Sequence, residues 1–356
     1  MTTPPPRDTT NAKEGREPMA KERAVVVGAG AIAHAWLKPL IEEGVQVLAV
    51  VDRDLERARR RVAEFVPRAE ASAELEATLR RHRPDFVVDL TSPEAHAEVT
   101  VASLKAGCHV LGEKPMATSL AEARKMVQAA EKARRTYMVS QTRRWDLRHD
   151  AIRRTIASGR LGAVTTLNCD FYIGAHFGGF RDKMPSPLIL DMAVHHFDLA
   201  RFFSGCDAAS VYCREFNPRG SWYKGAAAAS CIFEMTNGVV FNYRGSWCAE
   251  GCHTSWNGDW RIVGEKGTLL YDHDRSPVGE VLAGDEGFHR PKKELILNKS
   301  PLRHPGMRGA IREMLACLRK GTLPQTHSHD NIRSLAMVFA AIESSQKGKK
   351  IPVKAL

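Results

Sequence analysis

Residues 24–52 decide the fold, and they read AVVVGAGAIAHAWLKPLIEEGVQVLAVVD. An apolar run ends at Gly28, Gly30 follows after one residue, and Ala33 fills the third small-residue position of a dinucleotide-binding turn. Apolar residues then recur at helical spacing, and a second apolar run ends at Asp52. The order strand, glycine turn, helix, strand and acid predicts a dinucleotide site, although a glycine triplet after a strand is also common in plain turns.

Each position of this turn has a physical reason. Gly28 permits a tight turn, and Gly30 lets the backbone approach a pyrophosphate closely. The helix that begins at Ala31 and Ile32 offers free N–H groups and a positive partial charge. These four residues are therefore predicted to bind the cofactor phosphates.

Asp52 follows Ala33 by roughly 20 residues, which is the usual spacing for a carboxylate that binds the adenosine ribose. Such a carboxylate repels a 2′-phosphate, so the sequence predicts NAD as the cofactor. Arg53, next to it, moderates that repulsion, and NADP stays possible.

Length and composition set the class of protein. The chain has 356 residues and 43% hydrophobic residues, enough for two domains with their own cores. It has no apolar run of about 18 residues and begins without the apolar core of a signal peptide. The eight cysteines lack paired short spacings. We expect a cytoplasmic protein with reduced cysteines and no membrane partner.

The formal net charge of +11 raises the question of nucleic-acid binding. Acidic residues lie in or near the arginine clusters, aromatic residues do not alternate with basic ones, and no nucleic-acid module is recognisable. We therefore expect no nucleic-acid partner. The clusters are interpreted as solvated helix faces whose charge can steer an anionic cofactor or substrate.

The chain divides into three parts. Residues 1–22 are polar and without periodicity, which predicts a disordered tail. Strands alternate with helices over 23–145, which predicts an α/β Rossmann domain with a doubly wound parallel sheet. Residues 146–356 are mostly strand-like, with a hairpin signal at Asn237-Gly238 and two closing helices. They predict an α+β domain with an open, mostly antiparallel sheet.

Three further strand ends carry polar residues that should face the cofactor. Ligands of doubly wound sheets bind beyond the carboxyl ends of the strands. Lys114 follows such a strand where the nicotinamide is expected, although a surface lysine explains its position equally well. The predicted cofactor-binding residues at these ends are Thr91, Ser92, Pro93, His96, Glu113, Lys114 and Gln141.

The segment DMAVHHFD, residues 191–198, suggests proton transfer. On a helix, Asp191, His195 and Asp198 would share one face. A carboxylate beside an imidazole orients the ring and raises its basicity, as a general base for an alcohol proton requires. The alternative is a structural or exposed histidine.

Together these motifs resemble the glucose–fructose oxidoreductase / inositol dehydrogenase / rhizopine catabolism (Gfo/Idh/MocA) family. The resemblance rests on GAGAIA with Asp52, SPEAH, GEKPMA, the DxxxHxxD spacing and VGEKGTL, and it extends from about Lys21 to the end of the chain. Two departures, Ala193 for the usual glycine and SPLIL at 186–190 for a glycine-rich run, imply a differently shaped substrate loop.

The resemblance implies that Lys114, Asp191 and His195 are catalytic and that hydride passes between a carbinol carbon and the nicotinamide. His195 would take the hydroxyl proton, Lys114 would stabilise the alkoxide, and Asp191 would orient His195. It also implies a sugar, cyclitol or derivative as substrate, and a homodimer or homotetramer assembled through the open sheet. Family members that cleave glycosides by transient oxidation, or that only sense nucleotides, leave two other functions open.

Aromatic rings and hydrogen-bonding side chains suit a sugar, which has apolar faces and polar edges. Arginines among them would also suit a carboxylate or sulfonate on the substrate. Cys248, Cys252 and His253 have a spacing reminiscent of metal ligands, but the mechanism needs no metal and we expect none. The predicted substrate-binding residues are Lys114, Arg144, Trp145, Tyr172, Arg181, Asp191, His195 and His196, with His176, Trp222 and Tyr223 as further pocket candidates.

Overall fold

The structure is a computed structural model, and it describes residues 21–356. Residues 1–20, which make up nearly all of the predicted tail, lie outside the described residues. Glu22 is already tied to the folded part of the chain. Its carbonyl accepts a hydrogen bond from the Gln46 N–H, and its carboxylate forms an ion pair with Arg319.

Strands and helices alternate in the first part of the chain, as its periodicity predicts. The short β3 was not predicted because its sequence, Glu-Ala-Ser, carries no apolar pattern. The elements are β1 (Arg23–Val27), α1 (Ala31–Glu42), β2 (Gln46–Val51), α2 (Leu55–Phe65), β3 (Glu70–Ser72), α3 (Leu75–His82), β4 (Phe86–Asp89), α4 (Pro93–Lys105), β5 (His109–Gly112), α5 (Leu120–Ala133) and β6 (Tyr137–Val139).

These six strands form one parallel sheet in the order β3-β2-β1-β4-β5-β6. The predicted doubly wound Rossmann fold is confirmed. The strand order reverses between β1 and β4, so the crevice at which such sheets bind ligands opens at the carboxyl ends of these two strands.

The second part of the chain is built around a larger sheet. Its elements are a 3₁₀ turn (Thr142–Trp145), α6 (Leu147–Ala157), β7 (Val164–Tyr172), a 3₁₀ turn (Arg181–Lys183), a π-helical turn (Leu188–Ala193), α7 (Val194–Ser204), β8 (Ala208–Phe216), β9 (Ala228–Met235), β10 (Val240–Ser246), β11 (Asp259–Gly264), β12 (Gly267–Tyr271), β13 (Val278–Leu282), β14 (Lys292–Glu294), α8 (Gly306–Lys320), α9 (Ser328–Lys347) and β15 (Ile351–Pro352).

The nine strands are ordered β14-β13-β12-β11-β7-β10-β9-β8-β15, and every pairing except the parallel β7–β10 pair is antiparallel. The mostly antiparallel sheet is therefore confirmed, and Asn237-Gly238 does turn β9 into β10. One face packs on α7 and α9 around a core that includes Phe197, Phe233 and Phe241. The other face is open, with Tyr212 and Ile232 about half exposed.

The two closing helices join the sheets. α8 packs on α1 and on the 3₁₀ turn at Thr142–Trp145, while α9 contacts both α5 and α7. The Thr326 carbonyl also accepts a hydrogen bond from the Val139 N–H of β6. This packing brings the carboxyl edge of the parallel sheet against the π-helical turn that contains Asp191.

Candidate active site

The glycine turn between β1 and α1 is shaped for close approach by a ligand. Gly28 has φ 99°, and a Cβ there would lie 2.6 Å from the Leu90 carbonyl, so no other residue fits. A Cβ at Gly30 would meet nothing within 4 Å. Open space therefore adjoins the N-terminus of α1, and Gly30 provides no side-chain cap for its N–H groups at Ala31 and Ile32. The turn fits a pyrophosphate.

Asp52 lies beside this turn at the end of β2. Its Oδ2 accepts a hydrogen bond from the Ala29 N–H at 2.7 Å, and its Oδ1 accepts one from the Asp54 N–H at 2.9 Å. Both oxygens keep further lone pairs for ribose hydroxyls. Arg53 points to solvent. The carboxylate is thus held at the position expected for adenosine recognition.

Arg61 also contacts the turn, which the sequence analysis missed. It donates to the carbonyls of Ala29 at 3.3 Å and Gly30 at 3.1 Å. The sequence carries no sign of this role because Arg61 is one of several arginines on a charged helix. Its contacts are visible only once α2 is packed beside α1.

The strand end after β4 supplies a buried polar group. The Asp89 carboxylate accepts hydrogen bonds from Thr91 Oγ1 at 2.6 Å, and it lies 3.1 Å from Nδ1 of His96. Burial of His96 opposes its protonation, but the charge of Asp89 outweighs burial and raises the pKa of the imidazole. Ser92 and Pro93 begin α4 immediately beyond Asp89. All four predicted residues therefore lie at the cofactor edge of the sheet.

Two further predicted residues follow β5 and β6. Glu113 accepts hydrogen bonds from Trp36 Nε1 at 2.7 Å and from the Lys114 N–H, and burial raises the pKa of its carboxyl. Gln141 is 1% exposed, and neither end of its side-chain amide has a partner among the described residues. A buried amide left unpaired is costly unless a ligand satisfies it, so Gln141 fits a contact with the bound cofactor.

Lys114 and Asp191 meet across 77 residues of sequence. Lys114 Nζ donates to Oδ1 of Asp191 at 3.0 Å and to the Asp191 carbonyl at 2.9 Å, while Arg181 Nε donates to Oδ2 at 2.6 Å. Burial disfavours ionisation of Asp191, but the two cations outweigh it and hold the pKa of its carboxyl below the usual value. The carboxylate is therefore ionised and bridges two cations.

His195 is placed near this pair and is kept neutral. Burial, followed by the charges of Arg143 and Lys114, lowers its pKa well below the usual value. Its Nδ1 has no partner among the described residues. A neutral imidazole can accept a proton from a bound hydroxyl.

The predicted helix face shared by Asp191, His195 and Asp198 is corrected, and Asp191 accepts no hydrogen bond from His195 among the described residues. Asp191 lies in the π-helical turn, whereas His195 and Asp198 lie in α7. A π turn contains more residues than an α turn, so it rotates Asp191 away from the other two. Both Asp191 oxygens are used by Lys114 and Arg181 instead.

The structure contradicts the prediction that Arg144 and Trp145 line the substrate pocket. Arg144 donates to both oxygens of Asp198, at 2.8 and 2.6 Å, and lies 2.9 Å from Asp330. Trp145 is 2% exposed and donates from Nε1 to Glu313 at 2.9 Å. Both side chains are buried between helices, because the 3₁₀ turn that carries them packs against α7 and α8.

The prediction that His196 binds the substrate is also corrected, because its side chain is buried. It is fully buried beside the rings of Phe171, Tyr243 and Trp260, and neither ring nitrogen has a hydrogen-bond partner among the described residues. Burial lowers the pKa of its imidazole well below the usual value. It belongs to the core of the larger sheet.

The remaining aromatic candidates lie on two neighbouring loops. His176 stacks on Trp222 with ring centres 3.6 Å apart, and Tyr223 donates its hydroxyl to the Ala175 carbonyl at 2.7 Å. Tyr172, at the end of β7, is half-buried, and burial raises the pKa of its hydroxyl. His176, Trp222 and Tyr223 thus pack on one another, and Tyr172 is not part of that stack.

The cysteine–histidine segment is engaged with backbone atoms. His253 Nε2 lies 3.2 Å from the Gly174 N and 2.9 Å from the Ala249 carbonyl. Over residues 21–356, no cluster of three or more histidine, cysteine or acidic side chains could hold a metal ion. All eight cysteines of the chain are free thiols.

Several residues near Lys114 and Asp191 were not predicted from the sequence. Arg143 donates to Asn257 Oδ1 at 3.0 Å and to the Trp256 carbonyl at 2.6 Å, and burial lowers its pKa to about 10. Phe177 and Phe180 flank the guanidinium of Arg181. They come from loops without regular periodicity, so only the packed structure identifies them.

Comparison with known proteins places this geometry in a family. The family model for oxidoreductases with an NAD-binding Rossmann fold (GFO_IDH_MocA) matches residues 22–141, and the GFO/IDH/MocA C-terminal domain matches residues 149–270. Inositol 2-dehydrogenase 4 of Saccharopolyspora erythraea is 30% identical over 93% of this chain and 96% of its own length. D-apiose dehydrogenase of Paraburkholderia graminis is 26% identical over 91% of this chain and 86% of its own length.

Solved structures share the whole architecture. An oxidoreductase from Agrobacterium radiobacter, in complex with NAD⁺, L-tartaric acid and magnesium, superposes with a TM-score of 0.82 and 21% identity. The match covers 94% of this chain and 99% of that one. No helix within residues 21–356 has the length and apolar character needed to cross a membrane.

Proposed function

Since the chain belongs to the Gfo/Idh/MocA family of NAD-binding oxidoreductases, we propose that it transfers hydride between NAD and a hydroxyl-bearing carbon of a sugar, a cyclitol or a derivative of one. The observation that carries the proposal is the pair of Lys114 and Asp191. Their 3.0 Å contact joins the carboxyl edge of the parallel sheet to the second part of the chain.

Side chains of this protein accept the hydroxyl proton and stabilise the negative charge that develops on the reacting oxygen. Lys114 donates a hydrogen bond from Nζ to the reacting oxygen and stabilises the negative charge that develops there. His195, neutral because of its depressed pKa, accepts the hydroxyl proton on a ring nitrogen. Asp191 fixes Lys114 and offers its remaining lone pairs to a neighbouring hydroxyl. Bound NAD supplies the hydride acceptor.

The cofactor would extend along the carboxyl edge of the parallel sheet. Asp52 favours NAD over NADP, since a 2′-phosphate would approach a carboxylate already hydrogen-bonded to the turn. Exposed Arg53 keeps NADP possible. The residues proposed to bind the cofactor are Gly28, Gly30, Ala31, Ile32, Asp52, Arg53, Thr91, Ser92, Pro93, His96, Glu113, Lys114 and Gln141.

The substrate would enter between the sheets. Inositol 2-dehydrogenase and D-apiose dehydrogenase, two relatives, carry the names of a cyclitol and a sugar, and this supports a polyhydroxylated substrate. Tyr172 and Arg181 are proposed to contact it alongside Lys114, Asp191 and His195. Arg144, Trp145 and His196 are left out of the proposed set because all three side chains are buried.

Assembly, domain limits and location are proposed on simpler grounds. The half-exposed Tyr212 and Ile232 on the open sheet face favour a homodimer or homotetramer built through that face. A division into 23–145 and 146–356 agrees with the change of sheet at the 3₁₀ turn. Eight free thiols favour the cytoplasm. The mass from light scattering tests the assembly, and a monomer would reject it.

The function is tested by incubating the protein with NAD or NADP and a panel of polyols, sugars and glycosides, in both directions. Steady formation of reduced nicotinamide is expected with at least one polyol or sugar. Release of sugar from a glycoside without net reduction would replace the dehydrogenase with a transient-oxidation mechanism. Tight NAD binding without turnover of any compound would favour a nucleotide sensor.

A further inference from the structure

Arg181 is held rigidly at the mouth of the proposed active site. Its Nε donates to Asp191 Oδ2 at 2.6 Å. Its guanidinium carbon lies 5.0 Å from the ring centre of Phe177 and 4.7 Å from that of Phe180. One hydrogen bond and two aromatic faces therefore fix the side chain, so little of its conformational entropy remains to be lost on binding.

The binding edge of this guanidinium stays free. Neither terminal nitrogen of Arg181 donates a hydrogen bond to another residue among residues 21–356. The pair with Asp191 is one-pronged, because only Nε of Arg181 donates to it and the other carboxylate oxygen accepts from Lys114. The side chain is 31% exposed, so its terminal N–H donors remain open to a ligand.

Two cations share one carboxylate in this part of the site. Lys114 and Arg181 share the single carboxylate of Asp191. Arg143 lies close enough to His195 for its charge to lower the pKa of that imidazole; its hydrogen-bond partners, the Trp256 carbonyl and the Asn257 amide, are neutral, and the Asp274 carboxylate also acts on it. One of its nitrogens, Nη1, is buried without a partner among the described residues. Arg181 therefore shares its one hydrogen-bonded carboxylate with Lys114 and keeps N–H donors for an anionic ligand.

We propose that Arg181 binds a carboxylate of the substrate, and that the enzyme acts on sugar acids rather than on neutral polyols. This inference rests on the proposed function and narrows its substrate class. Lys114 and Arg181 bind the same carboxylate of Asp191, so a single sugar can reach both. The terminal nitrogens of Arg181 hold the acid group while Lys114 and His195 act on a hydroxyl of the same molecule.

The test compares matched acid and neutral substrates. Wild-type protein with NAD is assayed on D-glucuronate against D-glucose and on D-gluconate against D-sorbitol. We expect a kcat/KM for at least one acid about 10-fold or more above that of its neutral partner. Arg181→Gln should lower this value by about 10- to 100-fold, mainly through KM, whereas Arg181→Lys should lose less. Arg80→Gln, an exposed arginine on α3, is the matched control.

Binding of the acids is measured in parallel by the shift in melting temperature of the NADH-loaded protein. Acids should raise it in wild type and in Arg80→Gln but not in Arg181→Gln. Equal or better turnover of the neutral partners, an unchanged acid preference in Arg181→Gln, or no shift with any acid would overturn the proposal. Loss of NADH binding, seen in its fluorescence, would instead overturn the proposed function, so the two failures are distinguishable.

Discussion

Two clusters of arginine and aspartate arise from one short segment, and they differ in how completely their charges are paired. The cleft cluster consists of Lys114, Arg181 and Asp191. Asp198, seven residues after Asp191, belongs to the second. This interior cluster consists of Arg144, Arg201, Asp198 and Asp330.

The interior cluster is closed. Its two arginines face Asp198 and Asp330, Arg201 also donates to Asp207 at 2.9 Å, and the Ser334 hydroxyl adds a hydrogen bond to Asp198 at 2.7 Å. Burial disfavours ionisation of Asp330, but the arginines outweigh it and lower the pKa of its carboxyl. The cleft cluster instead has two cations on one carboxylate and free donors. A fully paired cluster holds elements together, whereas a partly paired one is prepared to bind something else.

The largest expected effect is on the interior cluster. Asp198→Ala leaves buried Arg144 without its two-pronged partner, so we expect the free energy of unfolding to fall by about 3–5 kcal/mol. Urea denaturation measures the change. Asp191→Ala is the matched control and should cost less, because Lys114 and Arg181 reach solvent. Equal losses in both variants would show that the two clusters do not differ as described.

Next in size is the effect on catalysis in the cleft cluster. Lys114→Ala should lower kcat by a factor on the order of 10² while leaving the melting temperature nearly unchanged, since it removes charge stabilisation at the reacting oxygen. His195→Ala should lower kcat to a similar degree. Lys125→Ala, an exposed lysine on α5, is the control. Normal turnover in both cleft variants would reject the catalytic assignment.

A smaller effect concerns Glu215, which forms no ion pair with any residue in the described part of the chain, 21–356. Burial raises the pKa of its carboxyl from 4.5 to about 7, and its one hydrogen-bond partner is the Ser186 hydroxyl at 3.3 Å. Between pH 4.5 and about 7 this carboxyl is ionised in the unfolded chain but still protonated in the folded protein. The free energy of unfolding therefore falls as pH rises, and the fall is complete above about pH 7.

Glu215→Gln should remove this slope. Because Glu215 keeps some exposure, we expect the variant to gain about 1–2 kcal/mol relative to wild type between pH 5 and pH 8. Urea unfolding at both pH values gives the difference, with the exposed Glu76→Gln as control. If the difference in unfolding free energy between wild type and Glu215→Gln stays constant with pH, the raised pKa of Glu215 is contradicted.

The smallest expected effect comes from Trp145, which lies in the interior and not in the proposed substrate cleft. Trp145→Phe removes the hydrogen bond to Glu313, which keeps two contacts from Gln325. We expect a loss of about 1 kcal/mol in unfolding free energy and kcat/KM within twofold of wild type. Trp36→Phe can serve as the comparison variant. Trp36 is also buried, but its indole N–H donates to Glu113, which is one of the proposed cofactor-binding residues. A tenfold fall in kcat/KM for Trp145→Phe would restore its predicted place in the pocket.

The sequence predicts those features of the fold that depend on residues close together in the chain. The Asn237-Gly238 hairpin and the Rossmann pattern follow from turn residues and periodicity, and the structure confirms them. The strands β14 and β15 form the two edges of the larger sheet, and β13 lies next to β14; their sequences are short or exposed, so no alternation identifies them.

Residues 191–198, which contain Asp191 and Asp198, show the same difference between local and long-range features. In a regular helix, residues seven apart lie on one face, and the sequence alone predicts a single cluster. The π-helical turn at Leu188–Ala193 rotates Asp191 toward Lys114, while Asp198 faces Arg144. No pattern in the segment predicts that turn.

The sequence by itself determined the glycine turn, the acid at Asp52 and the placement of Lys114 after a buried strand, because φ preference, apolar spacing and strand ends are local properties. Only the tertiary structure decided which carboxylate meets which cation, since Lys114 lies 77 residues from Asp191 and Arg144 lies 54 from Asp198. Burial and pairing of charges depend on packing between distant elements, and that packing separates the arginine that stabilises the fold from the one that is free to bind.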